Sequence, residues 1–518
     1  MTEAIPAARK KVCMKRDILR IVSSLLLAAV TVCSVSCGSS DGSEAPGQNS
    51  AKDGAAQGEA GAEAAGADAA GADAAETEPE YPALETRDLE GRDLRVLVYS
   101  RGDPGTWFQY LDFGWTDELA GDLVNDAVMN RNMAVEEKYN VSIVSNEVTD
   151  AVSTAKKSIS AGSDDFDICE PYCDSAYGMA GEGMLMNIYD LPHLELSAPW
   201  WDKAVQRDLS LLGRLYVITG DASMFDEELS YVVYYNQALA KQYETEDCYS
   251  LARDGKWTIG KMSELGRVVT HDLDGDGSMG DGDVYGVVTN YDVGRSWFFA
   301  MGGRMCSLDE NGEPKLTIAD THSQSAFEAI SAMMNDGEVS RMVAKFRDSW
   351  TGAINGMKEN RVLFLPGSLY DITGYRSMED DFGVLPYPKL DEAQDSYYNY
   401  VASHVCPVIA VPMTNTDPDT TGLLLEALAR ESAEVIVNNY IELNLMTKVA
   451  RDDSSAEMMR LIFDTKRYDL ACSYNWGKIT NIVEPSCKDA SNFQSQLAKL
   501  LPAAESDMQK TLDEFAEG

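Results

Sequence analysis

Residues 38–80 are not expected to belong to a folded domain, because they contain no large apolar residue. They consist mainly of Gly, Ala, Ser, Asp and Glu, with a near-repeat of Ala-Gly-Ala-Asp-Ala-Ala. Such a composition cannot bury a core, and its like charges repel one another and extend the chain. We therefore predict a disordered acidic tether over residues 38–88 and a folded body that begins near Leu89.

The segment before the tether has the features of an export signal. Basic residues between Lys10 and Arg20 precede an apolar run over residues 21–32, which is short for a membrane span. Residues 34–38, Ser-Val-Ser-Cys-Gly, resemble the lipobox of bacterial lipoproteins, in which the cysteine carries the lipid. The resemblance implies a signal peptide over residues 1–37 and a lipid at Cys37 that anchors the protein to the extracellular face of the membrane. An ordinary cleaved signal peptide is the alternative, and the chain starts at either Met1 or Met14.

Length and charge narrow the architecture and the partners. The 518 residues carry a formal charge of −42, with a pI near 4.3. A chain of this length is too long to fold around a single hydrophobic core, so two or more lobes are expected. Nucleic acids and anionic membrane surfaces bind clusters of Lys and Arg, so neither is expected as a partner. The ten Cys, seven of them beyond the leader, lack the spacing of a small disulfide framework. Buried thiols are the favoured interpretation, with room for one disulfide.

The apolar pattern of the body predicts an α/β fold. Residues 94–99 are typical of a strand, 122–140 of an amphipathic helix and 141–143 of another strand, the order found in parallel sheets. Two more strands, residues 215–218 and 231–235, flank an acidic turn. We expect this passage to carry the chain from one lobe to another. From Thr420 the pattern is almost wholly helical.

Aromatic residues follow several predicted strands. Trp107 follows the first strand, Tyr172 the strand near residue 168, Trp297 the strand over 284–288 and Tyr370 the strand over 361–365. Because ligands of open α/β sheets bind beyond the carboxyl ends of the strands, these residues are expected to line one cleft. Aromatic faces beside carboxylates and amides suit sugar rings, although each aromatic residue alone is equally typical of a core.

An acidic loop over residues 272–283 has the spacing of a calcium site. Asp272, Asp274 and Asp276 occupy positions one, three and five, glycine occupies position six, and Asp283 occupies position twelve. The Ser278 carbonyl would supply a further oxygen. We predict a structural Ca²⁺ here; Asp at position twelve is shorter than the usual Glu, and an acidic loop without metal is the alternative.

Patterns of known catalytic sites are scarce. The four His are widely spaced, and neither a His-Glu-x-x-His motif, a Gly-x-Ser-x-Gly elbow nor a phosphate-binding Gly-Lys-Ser/Thr loop occurs in the sequence. We therefore expect a binding protein rather than an enzyme.

The leader, the tether and several short motifs together resemble the extracellular solute-binding proteins of ABC transporters, family 1, the carbohydrate group. The motifs are Asp167-Ile168 followed by Tyr172 to Gly183, residues 213–216 before residues 234–236, Lys256-Trp257-Thr258, and residues 383–388. The resemblance covers residues 89–476 and rests on the order and spacing of these motifs.

The resemblance implies a two-lobed α/β clamp of the periplasmic-binding-protein type II, with a helical C-terminal region. Lobe 1 would comprise residues 89–221 and 355–412, and lobe 2 residues 222–354 and 413–518. A monomeric protein would capture a small solute, expected to be a saccharide, between the lobes and deliver it to ABC permease subunits in the membrane.

The resemblance also implies ligand contacts at matching positions. Glu170, Tyr172 and Asp174 match a first-lobe loop, Phe225 and Asp226 match the crossing between lobes, and Trp297 and Tyr370 match aromatic platforms. Two alternatives remain: a cell-surface glycosidase with a carbohydrate cleft, and a tethered sensor that passes ligand status to a membrane receptor. The sequence does not name the solute.

Overall fold

The computed structural model describes residues 81–101, 111–375, 377–433, 435–444 and 453–517. The chain divides after Glu78, and all described residues belong to the second unit, residues 79–518. Its strands are β1 Arg92–Tyr99, β2 Val141–Val148, β3 Ile168–Cys169, β4 Tyr231–Asn236, β5 Tyr285–Thr289, β6 Cys306–Leu308, β7 Pro314–Leu316, β8 Ser340–Met342, β9 Val362–Ser368, β10 Phe382–Leu385, β11 Asn399–Tyr400 and β12 Lys466–Arg467.

The helices alternate with these strands in the first part of the chain and dominate its end. They are α1 Leu123–Tyr139, α2 Ala151–Ser160, α3 Cys173–Gly181, α4 Lys203–Leu209, α5 Phe225–Glu228, α6 Gln237–Gln242, α7 Cys248–Arg253, α8 Ile259–Val269, α9 Gly294–Ala300, α10 Thr321–Asn335, α11 Trp350–Lys358, α12 Pro418–Ser432, α13 Val435–Asn444, α14 Asp453–Asp464, α15 Leu470–Tyr474, α16 Val483–Lys488 and α17 Phe493–Glu517. Within the described ranges, every helix is either too short or too polar to cross a membrane.

The sheet of lobe 1 contains three parallel strands in the order β2-β1-β3. β1 pairs with β2 along its whole length and with β3 at Val96, opposite Ile168. Between β1 and β2 the chain forms α1, which starts where the Asp122 side chain accepts backbone N–H groups and ends at Asn140 in a left-handed conformation. The predicted strand–helix–strand order is therefore confirmed.

The sheet of lobe 2 contains five strands in the order β10-β4-β9-β5-β8. β4 is antiparallel to β10 and β9, whereas β5 is parallel to β9 and β8. The amino end of β4 and the carboxyl ends of β5, β8 and β9 therefore meet at one edge. Residues 355–412 were predicted to return to lobe 1, but the backbone pairing of β9 and β10 with β4 places residues 362–385 in lobe 2.

The chain crosses between the lobes near residues 219–230 and returns to the first sheet at residues 407–412. Ile218 forms a bridge with Ile409, and Ala410 forms one with Cys169 of β3. Of the predicted strand over residues 215–218, only this bridge forms. Gly220 fixes the entry to the crossing, because a Cβ there would lie 2.2 Å from the Trp200 carbonyl oxygen.

The C-terminal helices pack on both lobes. Ile436 and Tyr440 of α13 share an apolar cluster with Val128 of α1, whereas Met459 of α14 packs in the core of lobe 2 with Phe382 of β10. The prediction placed all of residues 413–518 with lobe 2, and the packing of α13 on α1 differs from it. Each lobe has an apolar surface that a C-terminal helix can cover. The hydrophobic pattern of a helix alone therefore does not show which of the two lobes it packs on.

Residues 81–91 form a strap across lobe 1. The Tyr81 ring meets the Trp200 ring edge-on, with centroids 4.9 Å apart. Arg430 of α12 donates a hydrogen bond to the Pro82 carbonyl at 2.7 Å, and its guanidinium lies 4.9 Å from the Trp200 ring. The predicted tether extended to residue 88, but these contacts begin the folded body at Tyr81.

The seven cysteines that follow Cys37 in the sequence are buried and free. Burial raises the pKa of each thiol. The thiols are those of Cys169, Cys173, Cys248, Cys306, Cys406, Cys472 and Cys487. Among the described residues the structure thus confirms the favoured interpretation, buried thiols without a disulfide.

Candidate functional site

The carboxyl ends of the lobe 1 strands present a pair of stacked tyrosines. Tyr99 ends β1, and Tyr172 follows β3; their ring centroids lie 4.4 Å apart at an interplanar angle of 15°. Tyr99 is buried, whereas Tyr172 is half-buried. Tyr172 is therefore the ring of this pair that offers surface to a ligand.

The corresponding edge of lobe 2 carries an aromatic and an acidic side chain. Tyr370 and Asp371 follow β9, and both are half-buried. The Asp371 carboxylate accepts hydrogen bonds from the Ser368 backbone N–H at 2.8 Å and from its hydroxyl at 3.0 Å. These bonds fix the carboxylate at the end of the strand, and burial raises its pKa.

The charges of Asp174 in lobe 1 and Arg295 in lobe 2 influence each other's pKa. Asp174 lies in the first turn of α3, and Arg295 in the first turn of α9. Burial raises the pKa of Asp174 to about 7, partly offset by a hydrogen bond from Ser403 and by the charge of Arg295. Burial opposes the charge of Arg295, but Tyr400, Cys472 and Asp174 nearby raise its pKa overall. The two lobes thus contribute opposite charges that lie close enough to affect each other's pKa.

His404 lies near Arg295. Its pKa falls to about 4, first because of burial and second because of the nearby Arg295. The residue itself is exposed to solvent in this structure.

The two predicted crossing residues are buried. Phe225 is 2% exposed and Asp226 is 0% exposed. Asp226 forms an ion pair with Lys466 of β12, and the same ammonium lies 2.8 Å from Glu227 and 2.9 Å from Asp202. The predicted assignment to the crossing agrees with the structure, but this conformation buries both side chains in the hinge.

Carboxyl groups on the other side of the crossing form a second buried cluster. Asp112, Glu170 and Glu228 are at most 3% exposed. Burial raises the pKa of Asp112 to about 7 and that of Glu228 to about 8. Burial also raises the pKa of Glu170, and the neighbouring Asp112 adds to the effect. Glu170, predicted as a ligand contact, therefore lies in the hinge as well.

Trp297 belongs to the core of lobe 2. It is 0% exposed, its indole N–H donates to the Thr289 hydroxyl at 3.2 Å, and its ring lies 4.7 Å from that of Tyr387. Trp297 is the fourth residue of the short helix α9, and its side chain lies in the core. The predicted aromatic platform at Trp297 is thus covered in this conformation, whereas Tyr172, Asp174 and Tyr370 are half-buried just beyond strand ends, and their ligand contacts stay predictions. Trp107 and Cys37 lie outside the described residues.

Three functional candidates were missed in the sequence: Arg295, Asp371 and Arg131. Arg131 carried a detectable signal, because it falls on the apolar face that Val128 and Val135 mark in α1, and a charge on a core-facing stripe indicates a buried polar cluster. Arg295 and Asp371 follow strands without any distinctive spacing.

Two cavities open away from this cleft. One of about 360 Å³ lies between α4, α13 and α14, with Lys203, Ile441 and Phe463 in its walls. Another of about 650 Å³ lies beside α7 and α14, with Lys389 and Tyr397 in its walls. The predicted ligand residues that lie within the described ranges line neither cavity.

The acidic loop brings three predicted metal ligands together. One carboxylate oxygen from each of Asp272, Asp274 and Asp276 lies within 4.8 Å of the others. These donors suit a hard cation such as Ca²⁺. Ser278 donates to Asp276 through its backbone N–H at 2.7 Å and its hydroxyl at 2.8 Å.

Asp283 stands apart from this group of oxygens. Its carboxylate accepts backbone hydrogen bonds from Leu273 at 2.8 Å and Gly280 at 2.6 Å, which lower its pKa. Arg341 contacts Asp281 at 2.6 Å and ties the end of the loop to lobe 2. The three aspartates therefore fit a cation, while Asp283 at position twelve binds backbone N–H groups of the loop.

Comparison with known proteins identifies the fold. No family model matches the sequence, and no curated protein matches it either. RafE from Streptococcus pneumoniae is 12% identical, with a TM-score of 0.52 over 81% of this chain and 98% of RafE. UspC from M. tuberculosis is 13% identical, with a TM-score of 0.51 over 80% of this chain and all of UspC. The ABC substrate-binding protein Lmo0181 from Listeria monocytogenes, in complex with cycloalternan, is 13% identical, with a TM-score of 0.49 over 82% of this chain and 99% of its own. The likeness to RafE and UspC shows that the chain has the two-lobed α/β fold of the periplasmic-binding-protein type that the sequence resemblance implied.

Proposed function

We propose that this chain is the extracellular substrate-binding component of an ABC importer and that it captures a saccharide between its lobes. The observation that carries the proposal is the placement of two half-buried tyrosines, Tyr172 of lobe 1 and Tyr370 of lobe 2, just after strands β3 and β9, at the edges where the sheets end. Ligands of α/β sheets bind at such edges. The fold shared with RafE and UspC supports the proposal.

The chemistry of the cleft suits a sugar. Tyr172 and Tyr370 offer partly exposed rings from opposite lobes, on which the C–H face of a pyranose can stack. Asp174 and Asp371 can accept hydrogen bonds from hydroxyl groups, and Arg295 can donate them. A solute that satisfies groups from both lobes would stabilise the closed form by its differential contacts.

One observation favours the second candidate, a glycosidase. Asp174 has a pKa raised to about 7 at the cleft, as a general acid requires. Release of a chromophore from nitrophenyl glycosides by the purified protein, abolished in Asp174→Asn, would establish catalysis. Unchanged glycosides at high protein concentration would favour binding alone.

The decisive experiment measures saccharide binding by isothermal calorimetry with wild type, Tyr370→Ala and the control Tyr189→Ala. Tyr189 is an exposed lobe 1 tyrosine outside the cleft edge. Loss of a stacking ring should weaken binding about tenfold, or about 1.4 kcal/mol, while the control binds as wild type. If a panel of mono- to tetrasaccharides leaves a folded protein without heat or thermal shift, the proposal is wrong.

Membrane attachment and delivery are tested in cells. Attachment through a lipid on Cys37 predicts that Cys37→Ala releases the protein into the medium and abolishes its labelling by a fatty-acid analogue. Deletion of the gene should stop uptake of the bound saccharide. Unchanged uptake together with a lost transcriptional response would instead favour the tethered sensor.

A further inference from the structure

Tyr231 is a strand residue that lies at the ligand-facing edge of the lobe 2 sheet. It is the first residue of β4, whose amino end meets the carboxyl ends of β5, β8 and β9. Its partner in the register of β9 is Ser368, and the Leu369 backbone N–H donates to the Ser230 carbonyl at 3.0 Å. Tyr370 follows directly. Because Tyr231 is half-buried, its side chain keeps accessible surface beside that residue.

Residues 401–407 join the start of β4 in lobe 2 to the start of α3 in lobe 1. Ala402 donates its backbone N–H to the Leu229 carbonyl at 3.1 Å, just before β4. The next residue, Ser403, accepts the Asp174 backbone N–H at 3.3 Å in the first turn of α3, which Tyr172 precedes. The starts of β4 and α3 are thus attached to neighbouring residues of one segment. The half-buried tyrosines at these two starts therefore lie near each other, on opposite lobes.

Buried rings hold the Tyr231 ring in place. It stacks on the Tyr400 ring with centroids 6.1 Å apart at 21°, and the Tyr400 ring stacks on that of Phe299 at 4.8 Å and 6°. The Tyr387 ring lies perpendicular to that of Tyr231 at 6.2 Å. The three supporting residues are each 1% exposed. A ring that is ordered in this way before a ligand arrives loses little entropy on binding.

Lobe 1 repeats this construction with fewer rings. The half-buried Tyr172 ring stacks on the buried Tyr99 ring, with centroids 4.4 Å apart at 15°. Each lobe therefore presents a partly exposed tyrosine that a buried ring supports. Such a pair of aromatic surfaces suits a ligand that has flat apolar faces of its own.

A hydrogen-bond donor lies on the helix that supports the lobe 2 rings. Arg295 precedes Phe299 by four positions in α9, so both side chains lie on one face of that helix. The N-terminal turn of α9, which holds Arg295, follows the carboxyl end of β5 and so lies nearer the cleft edge than Phe299. The same region of lobe 2 thus combines an aromatic surface with a cationic donor.

We propose that Tyr231 is the stacking platform of lobe 2 and that it contacts the same saccharide as Tyr172 of lobe 1. This inference rests on the proposed function and adds a specificity-determining residue to it. The C–H face of a pyranose can stack on each tyrosine ring, while the hydroxyls at its rim accept hydrogen bonds from Arg295. Because the two platforms belong to different lobes, a ligand that contacts both stabilises the closed form.

Calorimetric titrations of wild type, Tyr231→Ala, Tyr231→Phe and Tyr243→Ala with a panel of mono- to tetrasaccharides test the inference. Tyr231→Ala should bind about tenfold more weakly than wild type, whereas Tyr231→Phe keeps the ring and should recover most of the affinity. The matched control is Tyr243, which is also half-buried in lobe 2 but follows α6, beyond the opposite end of β4. Tyr243→Ala should bind as wild type does. Circular dichroism of each variant checks that it folds.

Tyrosine nitration of the wild-type protein supplies a measurement that needs no variant. Tetranitromethane should modify Tyr231 in the free protein, and bound saccharide should protect it by at least about threefold, because a stacked sugar covers the ring. Tyr243 should react equally with and without saccharide. Peptide mass spectrometry measures both sites. A Tyr231 that stays unmodified in the free protein, or that bound saccharide leaves unprotected, overturns the inference.

The outcomes separate this inference from the proposed function. If wild type binds a saccharide and a folded Tyr231→Ala variant binds it equally well, Tyr231 is not a platform, while saccharide binding itself stands. Equal losses in Tyr231→Ala and Tyr231→Phe would exclude stacking as the role of the ring. If wild type binds no saccharide of the panel, the proposed function fails and this inference fails with it.

Discussion

The short helix α5 separates two buried acidic clusters that are stabilised in different ways. On one side, Asp226 and Glu227 surround Lys466 together with Asp202. On the other side, Glu228 lies near Asp112, whose charge adds to the effect of burial on its pKa. Three consecutive acidic residues of one helix thus meet a cation on one side and further carboxyls on the other.

The difference shows how a hinge in a very acidic chain can bury charge. An ammonium compensates carboxylates at any pH at which it stays charged, and the three acids raise the pKa of Lys466 although burial opposes this. A proton compensates carboxyls at low pH alone. One half of the hinge is therefore expected to be insensitive to mild alkali, and the other half to weaken in it.

The largest expected effect comes from removal of the cation. Lys466→Met leaves three carboxylates buried without it, and we expect a loss of about 3–5 kcal/mol in the free energy of unfolding. Urea denaturation followed by circular dichroism measures it. The matched control is Lys488→Met, which removes an exposed lysine paired with Glu484 and should leave the midpoint unchanged. Equal midpoints for both variants would mean that the ammonium does not hold this side of the hinge.

An intermediate effect should appear on the other side of α5 and depend on pH. Burial raises the pKa of Glu228 to about 8, so the folded state holds a proton that the unfolded state has lost. Between pH 6 and pH 7.5, wild type should lose about 2 kcal/mol relative to Glu228→Gln, since one proton corresponds to about 1.4 kcal/mol per pH unit. Urea titrations at four pH values measure this slope. The exposed variant Glu310→Gln should follow wild type, and a flat difference between wild type and Glu228→Gln would place an ionised Glu228 in the folded hinge.

The smallest effect should come from the exposed acidic loop, where water already solvates the carboxylates. Calcium binding to the loop over residues 272–283 stays a prediction. If it occurs, calcium at ten times its Kd should stabilise the protein by about 1.4 kcal/mol. Backbone bonds to Asp283 and the contact of Arg341 with Asp281 already order the loop without calcium. Thermal shifts after chelation and after restored calcium measure it, with Asp274→Asn as the variant that should not respond. Identical melting curves for wild type with and without calcium would contradict the prediction.

Local patterns predicted much of the fold. The apolar stripe of α1 and the run in β4 form as expected, and the Thr258 hydroxyl caps α8 by accepting the Lys261 backbone N–H at 3.2 Å. These features depend on neighbours in sequence. The pairing of β9 and β10 with β4 depends on residues more than a hundred positions apart, so the predicted boundary at residue 355 missed it.

The site was predicted less completely, for a related reason. Trp297 and Tyr370 both follow strands of one sheet, yet the first points into the core and the second remains half-buried at the edge. Sequence spacing placed both near the cleft, but the rotation of a side chain about its helix depends on packing. Arg295 has no local sequence signal, because the Asp174 charge that influences its pKa belongs to the other lobe.

The seven buried thiols have a consequence for how the chain would mature if it is exported as proposed. In the folded state each sulfur is buried and its reactive thiolate form is disfavoured, so the thiols should react slowly with oxidants in the solvent. An exported chain that has not yet folded exposes the same sulfurs to an oxidising environment, where mispaired bonds can form and persist. Rapid folding after secretion is then the protection, and oxidation before folding should be a route to misfolded protein that a reductant rescues.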